Sequence, residues 1–567
     1  MSSKNGKPNG QSFDLSQTEI KKLLKNVPSG IKIYIGHLEH QIKNMAKIGL
    51  SLSKEKDMNV LLENILLEAK RITNADGGTL YMKTDDDCLR FEIMMTDSLK
   101  LHLGGTSGQD IPFYPVKLYD DDGKPNTHMI SAYVGLTGET VNIPDAYKAE
   151  GFDFSGTKAF DEKTSYLSKS FLTVPLKNHE EEIIGVLQLL NALDKKTNES
   201  IPFSAEVQDI VEALSSQAAV AITNKNLIRD LEILFESFIK LIATAIDAKS
   251  PYTGGHCTRV PEITMMLAEA VNVSKDGPFK DVHFSDKEMY ELKIAAWLHD
   301  CGKVTTPEYV VDKATKLETI YDRIHTLDTR FEVLKRDEEI KVLKKRLKIE
   351  TDASVSKADK KDALKSLRKK HKDKLVKMEK EMDFIRATNI GGEFMSGDKK
   401  DRVKKIAKYR WKDNGTVKDF LSENEVYNLC IAKGTLTAEE RQIINDHIVQ
   451  TIDMLQQLPY PKHLKNVPEF AGGHHEKLDG TGYPKGLTKD EMSVQAKAMA
   501  IADIFEALTA KDRPYKEGKA LSMAMRILGF MKNDAHVDPE LFELFVQEKI
   551  YLRYGEKYLD SEQLDMD

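Results

Sequence analysis

Cysteine is scarce. Cys88, Cys257, Cys301 and Cys430 are the whole complement of a 567-residue chain, widely scattered and without a C-x-x-C pair. This excludes a disulfide framework and fits reduced thiols in a cytoplasmic protein. No apolar run approaches the roughly 18 residues of a membrane span, and the polar opening stretch 1–17 carries no secretory signal, so no membrane partner is expected. No excess of positive charge exists either. The formal net charge of −7 excludes a general nucleic-acid coat, because phosphate binding by counterion release needs a basic face. Any anionic ligand must therefore be caught locally. What is present is length and apolar content: 40% hydrophobic residues are enough for two to four cores at roughly 150 residues per domain.

The chain is organised around Gly473-His474-His475-Glu476-Lys477-Leu478-Asp479-Gly480-Thr481-Gly482-Tyr483-Pro484, with His299-Asp300 far upstream as its counterpart. Two adjacent imidazoles before a glycine-rich, proline-closed loop make poor core material, since their ring nitrogens need partners. A metal satisfies them. The upstream dipeptide is expected in the last turn of an apolar helix closed by Gly302, where carbonyl dipoles favour a cation.

Residues 51–225 read as mixed α/β. An amphipathic helix from Met58 runs into Ala75-Asp76-Gly77-Gly78, read as a turn, and then into a hairpin whose strands flank Thr84-Asp85-Asp86-Asp87. Two later strands, near 170–176 and 183–191, precede a closing helix. This order, with strands of the form sxPL…xiGVLqLxN, resembles a GAF sensor domain. The resemblance implies either a small-molecule site, loosely supported by Thr157-Lys158-Ala159-Phe160-Asp161-Glu162, or a domain that serves dimerisation alone.

From Ala205 to Lys249 the chain reads as nearly continuous helix, interrupted only at 223–226. Leu231, Leu234, Phe238, Leu241 and Ala245 step by three and four, the interval of a packed seam. A homodimer through this connecting helix (226–250) is expected, either as a signal-transmitting rod or as a passive stalk. An all-helical region, 251–530, follows, with a helical tail at 531–567 and a polar segment and helix at 1–50. Its long insertion, about 312–435, shows three–four spacing at Ile320, Ile324, Leu327, Phe331 and Leu334 and again at Leu375, Met378, Met382 and Ile385. That predicts an antiparallel helical hairpin. Lysine clusters at 344–346 and 368–370 offer contact with an anionic partner or, alternatively, a plainly solvated face.

In the helical half His447 lies on an apolar stripe, as a core histidine or a ligand. Asp503 sits in Ala498-Met499-Ala500-Ile501-Ala502-Asp503-Ile504-Phe505, where an unpaired carboxylate would cost several kcal/mol. His256, His299, Asp300, His447, His474, His475 and Asp503 exceed the needs of one tetrahedral zinc. They suit two octahedral ions sharing Asp300, a centre for phosphodiester hydrolysis.

The set His299-Asp300-x-Gly302-Lys303, His474-His475-Glu476-x-x-Asp479-Gly480-x-Gly482-Tyr483-Pro484, and Asp503 with Arg513-Pro514-Tyr515-Lys516 resembles the HD-GYP family of bacterial cyclic-di-GMP phosphodiesterases. The resemblance implies a multidomain chain: an α/β GAF sensor joined by a long helix to an all-α HD-type bundle with an inserted hairpin. It implies two divalent ions, iron or manganese, on those seven ligands. Asp300 and Lys303 would be catalytic, and Lys303, Gly482, Tyr483, Pro484, Arg513 and Lys516 would bind substrate. Lys303 has a second reading as a helix C-terminal cation. Cyclic di-GMP would be cut to pGpG, or on to GMP, under GAF control, with the Gly482-Tyr483-Pro484 loop also meeting a diguanylate cyclase. The alternatives are cyclic GMP-AMP as substrate, or a low-turnover signalling module acting through protein partners. Three departures are notable. Tyr252 replaces the glutamate of three-metal members, Cys301 replaces an aliphatic residue, and the insertion is unusually long.

Overall fold

The computed structural model describes residues 28–249, 255–511 and 518–566. They divide into two compact units at Ile233 and Leu234. Among the described residues no helix is long and apolar enough to cross a membrane.

The first unit is built on one antiparallel sheet. Its strands are β1 (Ala75–Lys83), β2 (Cys88–Thr96), β3 (Leu101–Gly104), β4 (Val116–Lys117), β5 (Val141–Ile143), β6 (Phe171–Lys177), β7 (Ile183–Leu193) and β8 (Ser200–Ile201). The order is β3-β2-β1-β7-β6-β5, with β4 beside β2 and β8 beside β7. The expected hairpin is β1–β2, closed by Asp87 at φ 52°. The stretch Ala75-Asp76-Gly77-Gly78, expected as a turn, is instead the first half of β1. Helix Met58–Thr73 already ends on left-handed Asn74, and the glycines answer to packing. A Cβ on Gly78 would lie 2.7 Å from Leu66 Cδ1.

One sheet face is sealed by Leu61, Ile65 and Leu66 of that helix and by Val211, Leu214 and Ala218 of helix Ala205–Lys249. The other face carries a cavity of about 500 Å³ walled by Tyr81, Phe91, Phe113, Phe154 and Phe171. Helix Ser155–Thr164, which holds the Thr157–Glu162 stretch, contributes Gly156, Thr157 and Phe160 to its wall. The long helix is unbroken at 223–226, where an interruption was expected. Asn and Lys at those positions are ordinary on an exposed helical face.

The second unit is a helical bundle. Ser285 and Ser493 start two of its helices, Asp286–Leu298 and Val494–Thr509, by accepting the backbone N–H three residues on, the normal cap for orphan donors. Helix His256–Val273 packs between them through Val260, Ile263 and Leu267. Residues 531–566, expected as a tail, complete this core. Phe545 and Tyr554 lie 5.1 and 5.6 Å, ring to ring, from Phe505.

The insertion has a core of its own. Helices Ile324–Thr351 and Lys357–Ile390 form the expected antiparallel hairpin. Beyond it the chain adds helix Gly397–Ala407, a ribbon of Arg410–Asp413 with Thr416–Asp419, and helix Glu423–Leu429. Phe331, Ile385, Val403 and Phe420 close this cluster. The ribbon eluded sequence reading because its strands are four residues each and largely polar, too short for a period-two signal.

Candidate metal centre

Four helix ends converge on one buried point. His256 is the first residue of helix His256–Val273, behind Gly255 at φ 83°. His299 and Asp300 follow helix Asp286–Leu298, and Lys303 lies in the succeeding helical turn Cys301–Thr305. His447 opens helix His447–Gln456, separated at Asp446 from Ala438–Asn445. His474 and His475 follow helix Val467–Gly472, and Asp503 lies inside Val494–Thr509.

The backbone aims the rings. His299 Nδ1 meets Ala296 O at 2.8 Å, His474 Nδ1 meets Ala471 O at 2.6 Å, and His447 Nδ1 meets Ile444 O. Each carbonyl lies three residues earlier and takes the Nδ1 proton, which leaves the Nε2 lone pair pointing inward. His256 is anchored by a side chain instead, its Nδ1 lying 2.5 Å from Glu506 Oε2. As a result His299 Nε2 and His256 Nε2 face each other at 3.3 Å, as do His475 Nε2 and His447 Nε2. Imidazole nitrogens this close need a cation or a proton between them.

Asp300 stands between these pairs. Its Oδ2 lies 3.1 Å from His256 Nε2, 3.2 Å from His299 Nε2 and 2.5 Å from Lys303 Nζ, whereas its Oδ1 faces His447 Nε2 at 3.2 Å. Two four-residue sets result: His256, His299, Asp300 and Asp503, and Asp300, His447, His474 and His475, with ligand atoms in each set within 4.8 Å of one another. Asp300 belongs to both. Two buried atoms aimed into the sets, His474 Nε2 and Asp300 Oδ1, lack any hydrogen bond. Such atoms are expensive in a dry interior, and a divalent ion is the partner this nitrogen–oxygen donor set suits.

The electrostatics agree. Burial opposes charge on Asp300, but the Lys303 ammonium and His299 hold its carboxyl well below the usual range. Burial likewise opposes charge on Asp503, and His256 outweighs it. Burial, aided by His299, pushes His474 down to about 4, and burial with His474 pushes His475 down as well. Both therefore stay neutral and ligand-ready at pH 7. Burial also pushes His256 down, but Glu506, Asp300 and Asp503 together hold it well above the ordinary histidine value.

Sequence reasoning missed the supporting shell. Glu506 is buried, and Arg259 grips its other oxygen at 2.6–2.7 Å. Both lie three residues after a named ligand, Asp503 and His256, so the i, i+3 spacing was the available signal. Glu476 is buried and accepts the N–H groups of Lys485 and Leu487, which holds the loop over His475. Tyr483 stacks on the His475 ring at 4.9 Å and 22°. Gly482 passes so close to Glu476 that a Cβ would lie 2.4 Å from its Cα, and Pro484 closes the same loop.

Gly302 is not a left-handed cap, contrary to expectation. It lets the His299-Asp300 turn touch the His447 helix: a Cβ there would meet His447 O at 2.0 Å, and Gly302 N donates to Thr451 Oγ1. Lys303 is drawn onto Asp300. The helical-turn cation role foreseen for it falls instead to Lys249, whose Nζ donates to the carbonyls of Lys303, Val304 and Thr306. Cys301 is a buried, free thiol, pushed up to about 11 by burial. Arg513, Lys516 and Tyr252 lie outside the described residues.

A GAF domain model matches residues 57–222, and two HD domain models match residues 253–400 and 424–541. The chain thus carries a GAF domain followed by an HD domain. The break between the two HD matches, 400 to 424, falls within the insertion. Curated relatives share only part of the length. A 3'3'-cGAMP-specific phosphodiesterase of Vibrio cholerae is 39% identical over 111 residues, 19% of this chain and 23% of that protein. A cyclic di-GMP phosphodiesterase of Pseudomonas aeruginosa is 42% identical over 114 residues, 20% of this chain and 26% of that one. A cyclic di-GMP phosphodiesterase of Thermotoga maritima is 34% identical over 119 residues, 21% and 32% respectively. The chain thus spans between 23% and 32% of the length of these relatives.

Proposed function

We propose that this protein is an HD-GYP-type, metal-dependent phosphodiesterase that opens a cyclic dinucleotide, with cyclic di-GMP as the first candidate and pGpG as the product. The observation that carries this reading is the sharing of Asp300 by two four-residue ligand sets. Ions on the two sets would supply a metal-activated water near neutral pH and neutralise charge on the phosphodiester oxygens. The water oxygen bonds to phosphorus, the ribose 3'-oxygen leaves with a proton, and a linear dinucleotide with a 5'-phosphate results.

The chain's own residues prepare this site. Lys303 keeps Asp300 ionised, Glu506 and Arg259 fix His256, and the three preceding carbonyls fix His299, His447 and His474. Tyr483 and the loop held by Glu476 form a rim next to His475. In this reading Arg513 and Lys516 meet a second phosphate, and the same rim is the contact for a diguanylate cyclase.

A second substrate, 3'3'-cyclic GMP-AMP, is favoured by a specific observation: three of the matched relatives are named for it. The test is side-by-side hydrolysis of both dinucleotides by anaerobically prepared protein supplied with Fe(II) or Mn(II), read by chromatography of linear products. Cleavage of cyclic di-GMP supports the first assignment, and preference for the mixed dinucleotide moves the protein to the second. Absence of turnover with both metals bound overturns the enzyme reading.

Control by the amino-terminal unit belongs to the same proposal. Its aromatic cavity offers a ligand site. Leu227, Leu231, Leu234, Phe238 and Leu241, each at least half exposed on helix Ala205–Lys249, form the seam for a second copy. Apolar seams at three–four spacing are stable in water only when paired.

A further inference from the structure

The insertion's hairpin changes character along its length. Its base is held by Phe331, Leu334, Met378 and Met382, but none of residues 335–377 is buried. Seventeen residues of the first helix, 335–351, therefore project about 25 Å beyond the last core layer at 1.5 Å per residue. Between Ile340 and Lys372 this arm carries thirteen Lys or Arg (341, 344, 345, 346, 348, 357, 360, 361, 365, 368, 369, 370, 372) against four Asp or Glu (350, 352, 359, 362). That local excess of nine positive charges sits in a chain whose total is −7. Among the described residues only Lys341 and Arg346 of the thirteen have an acidic side chain within 4 Å.

The arm is also apolar where it has no need to be. Val342 and Ile349 are half-buried, whereas Ile340, Leu343 and Leu347 are 48%, 52% and 61% exposed. At 100° per residue these three fall within a 60° sector roughly opposite Val342 and Ile349. The outer face is thus an apolar stripe edged by Lys344 and Arg346, the pattern of a helix that lies on an anionic interface.

We propose that this arm docks on an anionic lipid surface, with Ile340, Leu343 and Leu347 entering the headgroup boundary and the lysines meeting lipid phosphates. The composition favours this occupant over others. No aromatic residue occurs between Phe331 and Phe384, so the arm lacks the stacking platforms of single-stranded nucleic-acid binders and the Trp and Tyr anchors of protein hot spots. Eleven of the thirteen cations are lysine, whose compact, hydrated charge suits diffuse attraction, whereas arginine is favoured for forked recognition of single phosphates. A second copy of the arm is disfavoured, since it would set like charges against each other. The absence of a membrane span is no obstacle to such peripheral contact.

The test is co-sedimentation of the full chain with vesicles of phosphatidylcholine alone or with about 30% phosphatidylglycerol, at about 50 and about 500 mM salt. The expected result is capture by the anionic vesicles only, lost at the higher salt. In K344E/K345E/K369E/K370E the bound fraction should fall by about tenfold or more, with helical content and dinucleotide hydrolysis unchanged. L343Q/L347Q, which keeps every charge, should also weaken capture, separating insertion of the stripe from simple charge attraction. Three outcomes overturn the proposal: no capture of the parent by anionic vesicles, capture equal in parent and quadruple variant, or stronger salt-sensitive binding to an RNA or DNA oligonucleotide than to vesicles.

Discussion

The metal centre and the insertion's arm are both rich in titratable side chains, yet they are organised in opposite ways. At the centre seven candidate ligand side chains crowd together, most of them buried, and the carbonyls of residues 296, 444 and 471 anchor three of the rings. On the arm thirteen cations face water, nearly all without an acidic partner. The contrast teaches where a charge matters to this fold. A buried one is fixed by several neighbours and its loss propagates, whereas an exposed one is screened and acts through what it meets from outside.

Asp300→Asn should break the comparison most severely. It removes the carboxylate common to both ligand sets, so bound metal should fall from two ions toward none. Turnover should drop by about a thousandfold or more, since a group shared by the whole catalytic unit is lost; elemental analysis beside the hydrolysis assay checks both. Gly302→Ala tests the backbone contact under that residue. With His447 O only 2.0 Å from the added Cβ, it should cost about 3 kcal/mol as overpacking of a tight core does, read as a lowered denaturation midpoint.

Glu506→Gln should leave the fold intact but lower metal affinity by about 10- to 100-fold, the range for loss of an orienting partner behind a ligating histidine. A competition titration with a chelator measures it. A fourth expectation follows from charge. His256 is held protonated by Glu506, Asp300 and Asp503, whereas His474, at about 4, and His475 are already neutral. Loading ions at pH 7 should therefore displace about one proton, and affinity should fall as pH falls, because protons compete for the same nitrogen. Calorimetry in buffers of different ionisation enthalpy gives the count, and zero protons would contradict the arrangement. At the small end, Lys345→Ala on the arm should change stability by about 0.5 kcal/mol or less, checked by the same denaturation series.

Much of this molecule was legible in the sequence because its signals are chemically unusual. Paired histidines before a glycine-rich loop and a carboxylate amid Ala498, Ile501 and Phe505 have few innocent explanations, and the structure does bring those side chains together. The hairpin and the connecting helix were legible from three–four spacing. What stayed hidden was of two kinds. Glycines have no side chain to reveal their purpose, so Gly77 and Gly78 read as a turn and Gly302 as a cap, when each marks a close approach. Glu506 touches His256, 250 positions away in the chain, and Arg259 grips Glu506, and a lone charged residue on a helix reads as surface until its neighbour is known.

The insertion separates the two halves of the site by 149 residues, the span between Gly302 and its partner Thr451. Closing so long a loop from an open chain is entropically costly and slow. The insertion shortens it, because its ends are tied at the base: Lys313 Nζ donates to Asn428 and Glu440, and Thr435 Oγ1 donates to Lys313 O. Once its own aromatic core has condensed, residues 302 and 451 need only a short flexible search to meet. The insertion thus acts as a clamp across its own base, so that 149 residues of sequence separation leave the two halves of the site adjacent in the folded chain.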